Sequence, residues 1–217
     1  MYSALRFLTF GLLFLMSQLS QAQIIYVTPA GAGNQSGSSW ANALPGTSLQ
    51  SRLATATSGT FLVGAGEYTP AAVSDPTKSF FIPSGVQVYG GYVAGTTNRI
   101  TTPSGTTFSG DIGSPGLVSD NSYHVVMFRN ASANTRLEGV VITGGFAEAA
   151  APNGQGGGIY NDGSGSGNQS NPNLANVLLH ANTSTNGVVF GNNGANTFYT
   201  PSGSTLTVRV TPCWKRV

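Results

Sequence analysis

The side chains of this 217-residue chain best suited to chemistry are seven carboxylates, two histidines and one cysteine. The carboxylates are Glu67, Asp75, Asp111, Asp120, Glu138, Glu148 and Asp162. No Asp-x-Asp and no adjacent acidic pair occurs among them. No local set of oxygens therefore stands ready for a hard cation such as Ca²⁺, which takes several oxygen ligands. Two carboxylates flanking a cleft are the requirement for glycoside hydrolysis. Folding can bring distant residues together, but this spacing does not favour it. Asp111 and Asp120 are the pair that stacked turns of chain would bring together; the expectation for both is turn stabilisation, because Asp bonds turn backbone. His124 and His180 follow no metal-binding spacing. His124, within Tyr123-His124-Val125-Val126, reads as lying on the outward face of a strand. Cys213 is alone, so no internal disulfide forms, and an idle thiol is expected.

Glycine motifs are equally unproductive. Gly154-Gln155-Gly156-Gly157-Gly158 continues with Ile159, misses the last glycine of a dinucleotide fingerprint and lacks the helix that must follow. No phosphate-binding Gly-Lys-Ser/Thr loop and no nucleophile elbow is present. The glycines read as bends. Arg99, Arg129 and Arg136 are scattered and read as solvated surface charge. No basic run exists, which argues against nucleic acid as a partner. The sequence thus assigns no catalytic residue, no cofactor and no metal site.

The elements that would carry these side chains are mostly strands. Charged residues make up 7% of the chain, against about 25% in ordinary domains. Glycine is abundant, with 30 residues. The length suits one domain. Short β-branched and aromatic runs recur at Phe61–Val63, Ser79–Ile82, Val86–Tyr92, Thr106–Ser109, Tyr123–Phe128, Thr135–Thr143, Gly158–Tyr160 and Leu174–Leu179. Turn residues separate them, including Pro83-Ser84-Gly85, Gly90-Gly91 and Gly144-Gly145. One helix is expected near 47–59. Thr47 and Gln50 have capping-box spacing, Leu49, Leu53 and Ala56 share a face, and Gly59 supplies a stop. Asn161, Asn176 and Asn182 are candidates for stacking at bends. Tyr68, Tyr89, Tyr92, Phe146 and Tyr160 read as core aromatics rather than a sugar-stacking face.

Residues 1–22 predict a cleaved signal peptide. Arg6 precedes an apolar run, and Ser20-Gln21-Ala22 offers a small-residue cleavage site. The run is too short for a transmembrane helix, and no later stretch is apolar enough for one.

The ordered set IIYVTPAGAGNQSGSSWANAL from Ile24, FLVGAGEYTP from Phe61, VQVYGGYVAGTTNR from Val86, FSGDIG from Phe108, LEGVVITGG from Leu137 and GGGIYND from Gly156 resembles the N-terminal half of bacterial extracellular right-handed β-helix proteins. These are related to the polymorphic outer-membrane proteins, within the wider pectin-lyase-like fold. The resemblance covers roughly residues 24–190. It implies an all-β, right-handed parallel β-helix (a solenoid) with a short N-terminal capping helix. The corresponding division is 1–22 signal peptide, 23–60 N-terminal strand and capping helix, 61–200 parallel β-helix, and 201–217 a tail without a coil signature, as in a truncated chain. It also implies a secreted or cell-surface protein, at the outer membrane or outside the cell, working as a non-catalytic, adhesin-like scaffold for carbohydrate or protein. The competing expectation is a polysaccharide lyase or glycoside hydrolase of the same fold, which rests on analogy.

Overall fold

The computed structural model describes residues 23–100, 102–103, 105–150, 152–164, 169–184, 190–193 and 206–209, the last two segments through their backbone. The expected signal peptide and Cys213 lie outside these residues. The described chain is mostly β, with one short α-helix. Its strands are β1 (Ile24–Thr28), β2 (Leu44–Pro45), β3 (Gly59–Gly64), β4 (Gly66–Tyr68), β5 (Phe80–Ile82), β6 (Val86–Tyr92), β7 (Thr106–Ser109) and β8 (Val126–Arg129). They continue with β9 (Arg136–Thr143), β10 (Phe146–Ala147), β11 (Ile159–Asp162), β12 (Asn173–His180), β13 (Thr183–Ser184), β14 (Phe190–Asn193) and β15 (Leu206–Arg209). The helix, α1, is Leu49–Ala54.

Every ladder between these strands is parallel. The largest sheet runs β15-β12-β9-β6-β3-β1-β2, with β7 joining β4 to β9. A second runs β14-β11-β8-β5, and a third pairs β10 with β13. Parallel neighbours need long connections, which are usually helices that bury both sheet faces. Here, apart from the short α1 between β2 and β3, the described connections are loops and further short strands. The strands accordingly alternate buried and half-buried positions, as in β3 and β6, rather than reading as continuous apolar runs.

The registers align the inward residues into stacks. Ile25 pairs beside Phe61, Phe61 beside Val88, Val88 beside Leu137, and Leu137 beside Leu174. All five are at most 2% exposed. A second stack is Tyr68, Phe108, Ile142 and Leu179, again fully buried. In the second sheet Phe80, Val126 and Ile159 align. Each such side chain contributes about 1.5–3 kcal/mol through burial. A strand shifted by one residue would turn its whole apolar set outward, so the stacks hold the register.

A bend divides β9. Its first half pairs with Gln87–Tyr89 of β6 and its second with Thr106–Ser109 of β7. Gly139, at φ +72°, marks the changeover. On β12, Ala175 pairs with Glu138 and Val177 with Val140, so Asn176 stands opposite Gly139, itself at φ +50°. Glycine and asparagine are the residues that enter this left-handed region at least cost.

Several sequence expectations need correction. The capping box does not form: α1 begins after Ser48 without a side-chain cap, on a 3₁₀ turn at Gly46–Ser48. Gly59 does not end the helix but opens β3. Leu49 and Leu53 are nevertheless fully buried in the core, with α1 packed on β5. Gly90-Gly91 is not a break; β6 runs through it to Tyr92 with a register shift in its pairing to β3. The run at Tyr123–Phe128 becomes a strand only from Val126. The tail beyond Pro201 holds β15, which pairs in parallel with Val177–His180, because backbone hydrogen bonding to an open strand edge requires little from side-chain pattern.

Candidate functional site

The polar features of the fold separate into a locked charge cluster and an open cleft. The cluster grows from β6 and β9. Tyr89 and Glu138 are register neighbours on the outer side. The loop after β6 returns Arg99, whose Nε donates to the Gly90 carbonyl at 2.8 Å. Arg99 Nη1 lies 2.7 Å from Glu138 Oε1, and Arg136 Nε lies 2.6 Å from Oε2. The two guanidinium groups also stand over the Tyr89 ring, at 5.1 and 5.8 Å, a cation–π geometry. Burial pushes the Glu138 carboxyl up, but the hydrogen bonds and charges of Arg99 and Arg136 outweigh it and hold it below the ordinary 4.5. Arg99 and Arg136 are therefore not free surface charges, as the sequence suggested. They compensate a carboxylate that is only 8% exposed. Each Glu138 oxygen thus accepts from a guanidinium group.

A second ion pair repeats the logic. Arg129 Nε lies 3.0 Å from Asp162 Oδ2 across the β8–β11 ladder. Burial raises the Asp162 carboxyl, and the bonds from Ser164 and the charge of Arg129 bring it below its ordinary value.

His124 does not face outward. It is 7% exposed, its Nδ1 is 3.2 Å from the Gly156 carbonyl, and its ring stacks on Tyr160 at 4.7 Å. Burial pushes its pKa below the ordinary 6.5, more than the groups of Gly156, Asn153 and Gln155 raise it. The strand that was to expose it starts two residues later, so alternation does not apply at this position.

The cleft encloses about 360 Å³. Its wall is the outer ends of β7, β9 and β13, which present Ser109, Thr143 and Thr183. Ser109 and Thr143 are direct register neighbours. The floor is the Gly144-Gly145 bend beside Ala181. The loop between β7 and β8 forms the other side through Asp111, Gly116, Val118 and Asn121, and Glu67 of β4 closes one end. Asp111 and Asp120 both belong to that one loop rather than to neighbouring strands. Asp111 accepts the Gly116 N–H at 3.0 and 2.9 Å, and Asp120 accepts that of Ser114 at 2.9 Å. Both thus perform the turn-stabilising role read from the sequence. Asn121 is 5% exposed, donates to the Gly144 carbonyl at 2.8 Å, and leaves its Oδ1 buried without a partner.

Of the lining, the sequence reading names the carboxylates Glu67 and Asp111 and the Gly144-Gly145 bend, but assigns no site role to Ser109, Thr143, Thr183 or Asn121. A signal for the wall was present: Ser109-Gly110 and Thr143-Gly144 repeat a hydroxyl-then-glycine ending on two strands. Of the aromatic candidates, Tyr68 and Tyr160 are buried at 2% exposure. Tyr89 and Tyr92 lie half-buried beside Arg99. Among the described residues no three Asp, Glu, His or Cys side chains converge on a metal-sized site, and no helix is long and apolar enough to cross a membrane.

These features describe a mostly β protein of parallel ladders with one short helix, carrying a cleft at the outer ends of β7, β9 and β13. The chain matches no family model, no curated protein and no solved structure.

Proposed function

We propose that the chain is an exported β-helix protein that works at the cell surface as a non-catalytic scaffold, binding carbohydrate or protein along its outer face. In this reading the strands are successive turns of a right-handed parallel β-helix, and α1 caps the first turn with Leu49 and Leu53. The observation that carries it is the run of in-register buried residues Ile25, Phe61, Val88, Leu137 and Leu174. Equivalent positions recur once per turn in a solenoid, which leaves a long solvated flank. The signal-like segment at 1–22 supports export. The commitment of Glu138, Asp162 and Asp111 to internal bonds supports a structural rather than catalytic use of the carboxylates. Glu67 and Asp111 share the cleft, and this is the observation behind the alternative, a glycoside hydrolase or polysaccharide lyase.

Protease treatment of intact cells, followed by detection of the chain, tests the proposal. Loss of the protein from intact cells, a mature N-terminus at Gln23 and weakened adhesion in a deletion strain are the expected results. A chain retained inside the cell with Met1 intact would sink it.

A further inference from the structure

From the lining of the cleft between β7, β9, β13 and the loop 111–121, we infer that it is a binding site for a neutral saccharide and discriminates against uronates. This rests on the surface-binding reading above and names the ligand of that face. The cleft's volume, about 360 Å³, falls in the range of about 300–1,000 Å³ common for small-ligand sites.

Three features select the ligand class. The first is charge. Glu67 and Asp111 are the acidic side chains of the lining, and no Lys, Arg or His lines it. A uronate or phosphate entering would meet two like charges and no counter-charge. The second is hydrogen-bonding capacity. Thr143 and Thr183 both give and accept, and Glu67 accepts. A ligand bearing many hydroxyls and no charge supplies the matching donors and acceptors. The third is shape. Gly144 and Gly145 line the floor with backbone alone. Val118, 49% exposed at the rim, offers an apolar surface for the C–H face of a sugar ring. A cation is the poorer occupant: both Asp111 oxygens already accept the Gly116 N–H, and no third carboxylate joins the lining.

The test is calorimetric titration of the purified chain with neutral cello-, xylo- and manno-oligosaccharides, and separately with oligogalacturonate and oligoguluronate. A neutral series should bind, with the uronates weaker by about tenfold or more. Thr143→Tyr, which fills the cleft, should weaken neutral binding at least about tenfold. Glu67→Lys changes an exposed side chain and should leave the melting temperature unchanged, yet narrow or reverse the discrimination. It keeps the test decisive if Thr143→Tyr fails to fold. Uronates binding as tightly as neutral sugars would overturn the inference, as would a Glu67→Lys protein with unaltered preference. Shortened oligosaccharides in the titration mixture would overturn it in favour of hydrolysis. No binding to any neutral series, with adhesion still dependent on the gene, would refute this ligand and leave the surface scaffold standing.

Discussion

Arg99 Nη1 and Glu138 Oε1 lie 2.7 Å apart, joining a loop that follows β6 to the middle of β9. Arg136 holds the other carboxylate oxygen. Removing the carboxylate leaves two partly buried guanidinium groups uncompensated. Glu138→Gln should therefore destabilise the fold by about 2–4 kcal/mol in urea denaturation. The wild-type carboxyl titrates below its ordinary 4.5, so its contribution is complete above that pH and is lost as pH falls through the folded-state value. The variant should show a shallower loss of stability on the acid side; an unchanged acid limb would contradict the geometry.

Asn182 ties two bends together. Its Oδ1 accepts the Gly145 N–H at 2.9 Å, and its Nδ2 donates to the Ile142 carbonyl at 2.8 Å. The residue is 3% exposed. Asn182→Ala leaves a buried N–H and a buried carbonyl unpaired, at a cost of about 1–3 kcal/mol each. Asn182→Asp should cost at least as much, since a carboxylate oxygen then faces the Ile142 carbonyl. Thermal melting of both variants checks the order.

Two glycine substitutions should separate contact from backbone strain. Gly145→Ala meets the Gly157 carbonyl oxygen at 1.7 Å and must move backbone, costing about 3 kcal/mol or more. Gly85 has φ +82° but open space around it, so Gly85→Ala costs about 1–2 kcal/mol of left-handed strain alone. Equal losses in denaturant titration would show that crowding at Gly145 is not what requires glycine.

His124 predicts a stability slope in the weakly acid range. Its folded-state pKa lies below the ordinary 6.5, so the unfolded chain binds the proton more readily. The stabilisation is complete above pH 6.5 and declines as the pH falls below it. His124→Gln, which keeps a polar group toward the Gly156 carbonyl, should flatten that slope between pH 6.5 and the acid limb set by the carboxylates. An identical slope in variant and wild type would mean that the histidine is not the group responsible.

The strand runs show how far local pattern reaches. Val86–Tyr92 and Thr106–Ser109 were read with the bounds the structure has, because alternation and β-branching act over a few residues. The short partners β2, β10 and β13 have no signature in the sequence, since two residues carry no period. The locked guanidinium groups were invisible for another reason. Arg99 and Glu138 are distant in sequence and meet only because β6 and β9 are neighbours. The cleft is similar: Glu67, Asp111 and Thr183 come from three separate parts of the chain, and only the hydroxyl-glycine strand endings hinted at its wall.

By itself the sequence determined that the described chain is mostly β with one small helix, that its strands are short and separated by glycine-rich bends, and that Leu49 and Leu53 share a buried face. Those properties follow from side-chain type and spacing within a few residues. Which strand lies beside which, that His124 is interior, and that Arg99 and Arg136 enclose Glu138 were decided by the tertiary structure. Parallel pairing joins segments through long connections, and burial and hydrogen-bond partners exist only once those segments have met.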